Sequence, residues 1–164
     1  MLRRWLQHLF TTPFALRRCF PSATLAAIDA AIAASEQYHR AEIRCAVEAT
    51  LSVGHLFRGV ASAARAAEVF SNLGMWDTAE NNGVLLYMLL AERNIEIVAD
   101  RGFAGRVTAV EWESICAELE VAFGSGRYEA GTLAALDRIS ALARQHFPAQ
   151  AGDRNELPDR TVLL

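Results

Sequence analysis

A cluster of oxygen-bearing side chains lies directly before a long apolar segment of the chain. Its members are close enough in sequence to share one loop: Asp77, Glu80, Asn81 and Asn82. Gly83 follows them, and residues 84–90 are apolar throughout. Carboxylate and amide oxygens are the ligands that hard cations such as calcium prefer. The loop therefore predicts either a site for a hard cation or a phosphate, or an elaborate turn, because Asn and Gly tolerate a positive φ.

A second polar group follows the next apolar segment. Residues 95–99 are mostly apolar and end at Asp100 and Arg101, and a short turn at 92–93 separates them from residues 84–90. Two such segments joined by a tight turn predict an antiparallel hairpin. The end of the second strand then lies beside the start of the first. Asp100 and Arg101 are therefore expected next to the oxygen-rich loop.

Glu42 opens a third candidate strand, residues 42–48, in which polar and apolar residues alternate as in a half-buried strand. If this strand runs parallel to residues 84–90, Glu42 reaches the same sheet edge. The predicted metal ligands are Asp77, Asn81, Asn82 and Asp100, with Glu42 and Glu80 as secondary candidates. Arg101 has two roles open to it: it could pair with an acid at the strand end, or present its guanidinium to a phosphate.

The elements around these strands indicate the fold class. A helix is predicted from Ser22, as N-cap, to about His39, and another from about Ala61 to Leu73, ended by Gly74. Two further helices follow the capping-box pair Thr108 and Glu111 and the break at 124–126. The order helix, strand, helix, strand, strand, helix, helix predicts a right-handed parallel unit extended by a hairpin. We therefore expect an α/β fold, a three-layer α/β/α sandwich with a small mixed sheet.

The chain of 164 residues is long enough for one domain with appended ends. The predicted domain covers residues 21–148. Residues 1–20 form a basic amphipathic N-terminal arm, which either packs its apolar side on the domain or meets an anionic membrane surface. Residues 149–164, the C-terminal tail, are polar and punctuated by proline, and are expected to be extended.

Composition limits the classes of partner. The formal net charge is −3, but residues 1–28 carry four arginines and no acid, so the remaining twelve arginines and nineteen acidic residues give −7. Nucleic acid is therefore not an expected partner.

The three cysteines show no metal-ligand spacing, which favours a reducing compartment. No apolar run approaches the ~20 residues of a membrane span. We expect a cytoplasmic protein, peripheral at most at the inner membrane face, with no signal peptide.

The sequence offers no obvious nucleophile or general base. The four histidines are scattered, and no Gly-x-Ser-x-Gly or phosphate-loop motif occurs. A cation-binding accessory module with a protein partner is therefore favoured. The alternatives are a metal-dependent phosphatase, in which a metal polarises a phosphoryl oxygen and Arg101 neutralises charge, and a peripheral membrane adaptor.

Several ordered motifs over roughly residues 35–147 also match one family pattern. They are Arg65-Ala66-Ala67-Glu68-Val69-Phe70, Trp76-Asp77-Thr78, Asn81-Asn82-Gly83-Val84-Leu85-Leu86, Ile95 through Gly102, and Phe123, Gly126, Tyr128 and Gly131. The chain resembles the TPM domain family, which joins plant thylakoid proteins of the Psb32 type with bacterial YgcG-like and MOLO1-like proteins. Leu157-Pro158-Asp159-Arg160 is similar to the tail of short proteobacterial members.

The resemblance implies an α/β/α sandwich, calcium or another divalent cation in some members, and a weak acid phosphatase activity proposed for the plant branch. One departure concerns the loop after the third strand. Several relatives carry Gly-x-Gly followed by Leu-Glu there, whereas this chain has Gly102-Phe103-Ala104-Gly105-Arg106. An acidic group from that loop is therefore not expected in this protein.

Overall fold

The computed structural model of the chain describes residues 2–11, 13–150 and 155–164. Within these ranges the helices are Leu2–Phe10 (α1), Pro13–Cys19 (α2), Ser22–Ser35 (α3), Val53–Phe57 (α4), Ser62–Asn72 (α5), Ala109–Gly124 (α6) and Tyr128–His146 (α7). The strands are Ile43–Glu48 (β1), Val84–Leu89 (β2), Asn94–Ala99 (β3) and Val162–Leu163 (β4). Short 3-10 turns cover Glu36–Tyr38 and Arg101–Phe103.

The strands form one mixed sheet in the order β3-β2-β1-β4. Strand β1 is parallel to β2, with Ile43 opposite Val84. Strand β3 returns antiparallel to β2, with Ala99 opposite Val84. The predicted parallel unit and hairpin are therefore correct.

Helices cover both faces of the sheet. One apolar core lies between the sheet and α3, α6 and α7, and includes Leu16 of α2 and Phe20, which follows α2. The second core lies on the opposite face, against α4 and α5, and contains Leu56, Val69 and Phe70. The three-layer α/β/α sandwich predicted from the element order is confirmed.

Strand β1 is more deeply buried than its alternating sequence predicts. All six of its residues are buried, including the polar Arg44 and Glu48. Helix α5 and residues of the C-terminal tail cover the face that the pattern assigns to solvent. The alternation therefore marks two differently composed buried faces.

The C-terminal tail adds a strand that the sequence did not reveal. Val162 and Leu163 pair in parallel with Ala46 and Val47 of β1, and Leu164 N donates to Val47 O at 2.9 Å. Two paired residues are too few to produce a periodic pattern. The sheet therefore has four strands, and the last part of the tail belongs to it.

The local signals at helix ends are mostly correct. Thr108 and Glu111 form the predicted reciprocal capping box of α6, and Gly74 follows α5 with a φ of +69°. The N-cap prediction for Ser22 is wrong, because Pro21 occupies that position and α3 begins at Ser22. Pro21 has an extended backbone, with φ −63° and ψ 163°, so the helix starts one residue earlier than a hydroxyl cap at Ser22 would allow.

The N-terminal arm consists of two helices that contact the domain. Part of its apolar side packs inward, through Trp5 of α1 and Leu16 of α2, whereas Leu6, Leu9 and Phe14 are exposed. Two polar side chains of α1, His8 and the half-buried Arg4, also face the domain. Glu92, in the β2–β3 turn, supplies the carboxylate that attracts both side chains. No helix in the described ranges is long and apolar enough to cross a bilayer.

Candidate functional site

The sheet brings the predicted site segments to one edge. Val84 N donates to Glu42 O at 2.8 Å, and Asp100 N donates to Gly83 O at 2.9 Å. The residues before β1, before β2 and after β3 are therefore neighbours, as the strand-pairing argument predicts.

The loops 77–83 and 100–103, together called the strand-end loops here, are in direct backbone contact. Gly102 N donates to Asn81 O at 2.8 Å, and Asn81 adopts a φ of +54°. A Cβ atom on Gly102 would lie 2.4 Å from Asn81 O and 2.8 Å from Glu80 O. Glycine at 102 is therefore required by this close approach.

Two polar side chains of the strand-end loops, Arg101 and Glu80, already have internal partners. Arg101 Nε donates to Asn81 Oδ1 at 2.7 Å, and Glu80 forms an ion pair with Arg40. The arginine thus binds an amide oxygen where the sequence had suggested a carboxylate. Asp77 lies exposed on the surface of the same loop.

Two oxygens in this region are buried without a hydrogen-bond partner among the described residues: Asn82 Oδ1 and Asp100 Oδ2. Asn82 is only 1% exposed, and its amide Nδ2 donates to Arg40 O at 2.6 Å. The other carboxylate oxygen of Asp100, Oδ1, accepts from Arg101 N at 2.7 Å and caps the 3-10 turn. Buried polar atoms normally have a partner, so each unsatisfied oxygen needs an explanation.

Glu42 is held by the C-terminal tail. Its carboxylate oxygens accept from the backbone N–H groups of Glu156 and Leu157, at 2.9 and 3.1 Å. The carboxylate of Glu156 in turn accepts from Ala79 N, at 3.2 Å to each oxygen. The tail therefore links the start of β1 to the oxygen-rich loop, a contact that the sequence analysis missed because it treated the tail as a separate arm.

An acidic pair lies nearby, at a cleft of about 260 Å³ lined in part by Glu36, Glu42 and Asn155. Asn155 Nδ2 donates both to Glu36 Oε2, at 2.8 Å, and to Asp159 Oδ1, at 2.6 Å. Burial, and next the charge of Asp159, raises the pKa of the Glu36 carboxyl to about 8. The two acids are 123 positions apart in sequence, so no local pattern could have indicated their contact.

A different polar network lies at the other end of β1. Arg65 of α5 donates to both carboxylate oxygens of the buried Glu48, at 2.9 and 3.2 Å, and Tyr87 Oη donates to Glu48 Oε2 at 2.6 Å. Burial, together with the hydrogen bond and charge of Glu48, raises the pKa of Tyr87. This network satisfies Glu48 of β1 and Tyr87 of β2, which are buried on the α5 side of the sheet.

The network continues to the surface through His55. His55 Nε2 lies 3.1 Å from Glu68 Oε2, and His55 Nδ1 lies 2.8 Å from Ser52 Oγ. The same hydroxyl oxygen accepts from His55 N and is the N-cap of α4. Glu68 is exposed and also binds Arg65. His55 therefore connects the N-cap of α4 to the ion pairs of α5.

Arg44 was not identified from the sequence. Its guanidinium makes one long hydrogen bond, from Nη1 to Leu73 O at 3.5 Å, and Nε has no partner in the described part of the chain. Burial lowers the pKa of this guanidinium. Among the residues that the structure describes, it is a buried cation without an ion pair, beside the sheet and the end of α5.

Whether a metal ion can bind at the strand-end loops depends on which side chains there can act as ligands. In residues 2–11, 13–150 and 155–164, no three His, Cys, Asp or Glu side chains form a group that could hold a metal ion. A cation at the strand-end loops would therefore need amide, backbone and water oxygens beside its carboxylates. That donor set suits a hard cation and does not suit zinc or copper.

The architecture is that of an α/β/α sandwich domain with polar loops gathered at one sheet edge. The chain belongs to the TPM domain family, which matches residues 17–142. It is similar to the NMR structure of the BA42 protein from the psychrophilic bacterium Bizionia argentinensis, with 26% sequence identity and a TM-score of 0.74. That similarity covers 87% of this chain and 94% of the other. No curated protein matches the chain.

Proposed function

We propose that this TPM domain is an accessory module that binds a divalent cation, calcium in preference, at the strand-end loops. The observation that carries the proposal is Asp100 Oδ2, a carboxylate oxygen that is buried and has no hydrogen-bond partner in the described residues. Removing a carboxylate from water is costly unless a positive charge compensates for it. A bound cation would supply that charge.

All four proposed ligands belong to the strand-end loops. Asp77 and Asp100 would provide carboxylates, and Asn81 and Asn82 would provide amide oxygens. Asp100 Oδ2 and Asn82 Oδ1 are already desolvated, so their dehydration adds nothing to the cost of binding. Glu42 and Glu80 are less available, because the tail and Arg40 hold them.

Arg101 opposes cation binding in two ways. Its guanidinium places a positive charge at the site, and its Nε occupies Asn81 Oδ1. A cation that takes Asn81 Oδ1 must displace this hydrogen bond. Together with the small number of carboxylates, this favours a weak, water-rich site with a dissociation constant on the order of 10⁻⁴–10⁻³ M.

The side chains at the strand-end loops are carboxylates, amides and one guanidinium, which can bind a ligand and include no hydroxyl, thiol or imidazole nucleophile among the proposed ligands. The proposed role is therefore binding, with an unidentified protein as partner. A phosphatase would use the same cation to polarise a phosphoryl oxygen, with Arg101 as the charge-stabilising donor. The exposed position of Arg101 permits that role, so turnover of a phosphate ester remains an outcome to be measured.

Thermal unfolding with and without calcium tests the proposal. At 10 mM calcium, a site in the proposed affinity range adds roughly 1.4–2.7 kcal/mol to the unfolding free energy. This corresponds to a rise in Tm of about 3–10 °C for a chain of this size. The variant Asp77→Asn/Asp100→Asn should lose the rise. Asp137→Asn, which changes an exposed carboxylate on α7, is the control and should keep it. An equal rise in all three proteins would refute the assignment.

A further inference from the structure

The helix α1 faces the domain with two polar side chains and with Trp5, whose ring centroid lies 4.9 Å from that of Phe57. Arg4 and His8, one turn apart, both bind Glu92 Oε1, at 2.7 Å from Arg4 Nε and 2.8 Å from His8 Nε2. Arg4 Nη2 also donates to Val60 O at 2.5 Å. His8 Nδ1 accepts from Leu51 N at 3.1 Å, so the ring proton lies on Nε2 and is donated to Glu92. These contacts fix which side of α1 is turned inward.

The opposite side of α1 presents apolar groups to solvent. Leu6 is 43% exposed and Leu9 is 73% exposed, and Phe14 in α2 is 77% exposed. An amphipathic helix at a protein surface normally buries its apolar side and leaves its polar side in water. Here Leu6 and Leu9 are exposed although Trp5 of the same helix packs inward, and an exposed apolar patch of this kind marks an interaction surface. We call Leu6, Leu9 and Phe14 the apolar patch.

Positive charge accompanies the apolar patch. Arg17 and Arg18 are exposed in the last turn of α2, and Arg93 is exposed in the β2–β3 turn. The charges of Arg93 and Arg18 both act on the Tyr128 hydroxyl, so both guanidiniums lie near the cleft of about 730 Å³ that Tyr128 and Arg93 line.

The acid of this cleft is already neutralised. Glu92 lines it, but its carboxylate binds Arg4 and His8. Residues 1–28 contain no other acid that could oppose the exposed arginines. Outside that segment, the exposed Glu129 follows Tyr128 and accepts from Thr24 Oγ1 at 2.5 Å. The three exposed arginines outnumber this one carboxylate, so the surface around the apolar patch has a net positive charge.

We propose that α1 and α2 dock on the surface of an anionic lipid bilayer. The apolar patch enters the boundary between headgroups and acyl chains, and Arg17, Arg18 and Arg93 contact the lipid phosphates. Apolar contact and positive charge on one face are the combination by which peripheral helices hold such membranes. Glu92 lies at the opposite end of the β2–β3 hairpin from the strand-end loops, so docking leaves the proposed cation site accessible.

Vesicle co-sedimentation of the full chain tests the proposal. Vesicles of phosphatidylcholine alone are compared with vesicles containing ~30% phosphatidylglycerol, at low and at physiological salt. EDTA is present throughout, so the result does not depend on the proposed cation site. Leu9→Ser/Phe14→Ser should weaken anionic binding at least tenfold. Arg17→Gln/Arg18→Gln should weaken it roughly 30-fold. Val110→Ser/Val121→Ser, which changes two exposed apolar residues of α6, is the matched control and should bind like the wild type.

Several results would overturn the proposal. Absence of wild-type binding at low salt, equal binding to neutral and anionic vesicles, or equal loss in the α6 control would each do so. Light scattering after size exclusion gives a further check, since a dimer that dissociates in Leu9→Ser/Phe14→Ser would assign the patch to a second copy of the chain. Circular dichroism confirms that each variant is folded, as expected for changes at exposed positions.

Discussion

The acidic pair Glu36 and Asp159 makes a definite prediction about pH dependence. The pKa of Glu36 is about 8 in the folded protein, compared with an ordinary value of 4.5, because the carboxyl is buried and faces Asp159. The folded state therefore binds this proton more tightly than the unfolded state does. The stabilisation from the neutral carboxyl is complete below about pH 4.5 and is lost as the pH rises through about 8.

The size of the expected stability change follows from the pKa shift of Glu36 and from the solvent exposure of its side chain. A full shift of this size would correspond to about 4.8 kcal/mol. Glu36 is only partly buried, and solvent screening reduces the effect to roughly 1–2 kcal/mol. Replacing Glu36 by glutamine removes the titration and keeps the shape of the side chain. At pH 8.5, Glu36→Gln should therefore be more stable than the wild type by about that amount, with a Tm higher by roughly 2–8 °C.

Urea unfolding followed by circular dichroism at pH 5, 6, 7 and 8.5 measures the difference. Wild type and Glu36→Gln should have similar unfolding free energies at pH 5 and diverge as the pH rises. Glu113→Gln, at an exposed position of α6, is the control and should parallel the wild type. Parallel curves for Glu36→Gln and the wild type, or a destabilised glutamine variant at pH 8.5, would refute the reasoning.

Three other predictions concern the strand-end loops and the buried charges. Gly102→Ala should lower the free energy of unfolding by about 1–3 kcal/mol, because its Cβ would lie 2.4 Å from Asn81 O. Gly124→Ala is the control and should be nearly neutral, because the space around its Cβ is open. Chemical denaturation of the two variants measures the difference. Arg44→Met should raise the free energy of unfolding by about 1–3 kcal/mol, because it removes a buried charge that has only one long hydrogen bond. Arg65→Met should lower the free energy of unfolding by about 3–5 kcal/mol, because it leaves the carboxylate of Glu48 without its ion pair. Equal effects of the two substitutions would contradict this reasoning. Hydrolysis of an aryl phosphate should be negligible with calcium or magnesium; robust turnover that falls at least tenfold in Arg101→Ala would instead support the phosphatase.

Most of the fold could be predicted because it depends on local patterns. The continuously apolar residues of β2, the short turn and β3 predicted the hairpin, and the helix between β1 and β2 predicted their parallel pairing. These rules also brought Glu42, Asn82 and Asp100 to one edge. Side-chain partners were beyond such rules, since Asn82 binds Arg40 O and Glu42 binds backbone groups of the tail.

The orientation of α1 also depends on a distant side-chain partner that local patterns cannot identify. Its amphipathic sequence indicates two unlike faces but does not say which one is turned inward. Arg4 and His8 face the domain because Glu92, 84 positions beyond His8, offers a carboxylate at the β2–β3 turn. The assumption that apolar residues face inward held for Trp5 and did not hold for Leu6 and Leu9, which are exposed.

The most direct test of the proposed cation site is a calcium titration of the isotope-labelled protein followed by amide NMR shifts. The proposal predicts saturable shifts concentrated at residues 77–83 and 100–103, with a dissociation constant on the order of 10⁻⁴–10⁻³ M and loss of saturation in Asp77→Asn/Asp100→Asn. Shifts centred instead on the acidic pair Glu36 and Asp159, or no saturable shifts up to 20-fold above that range, would contradict it.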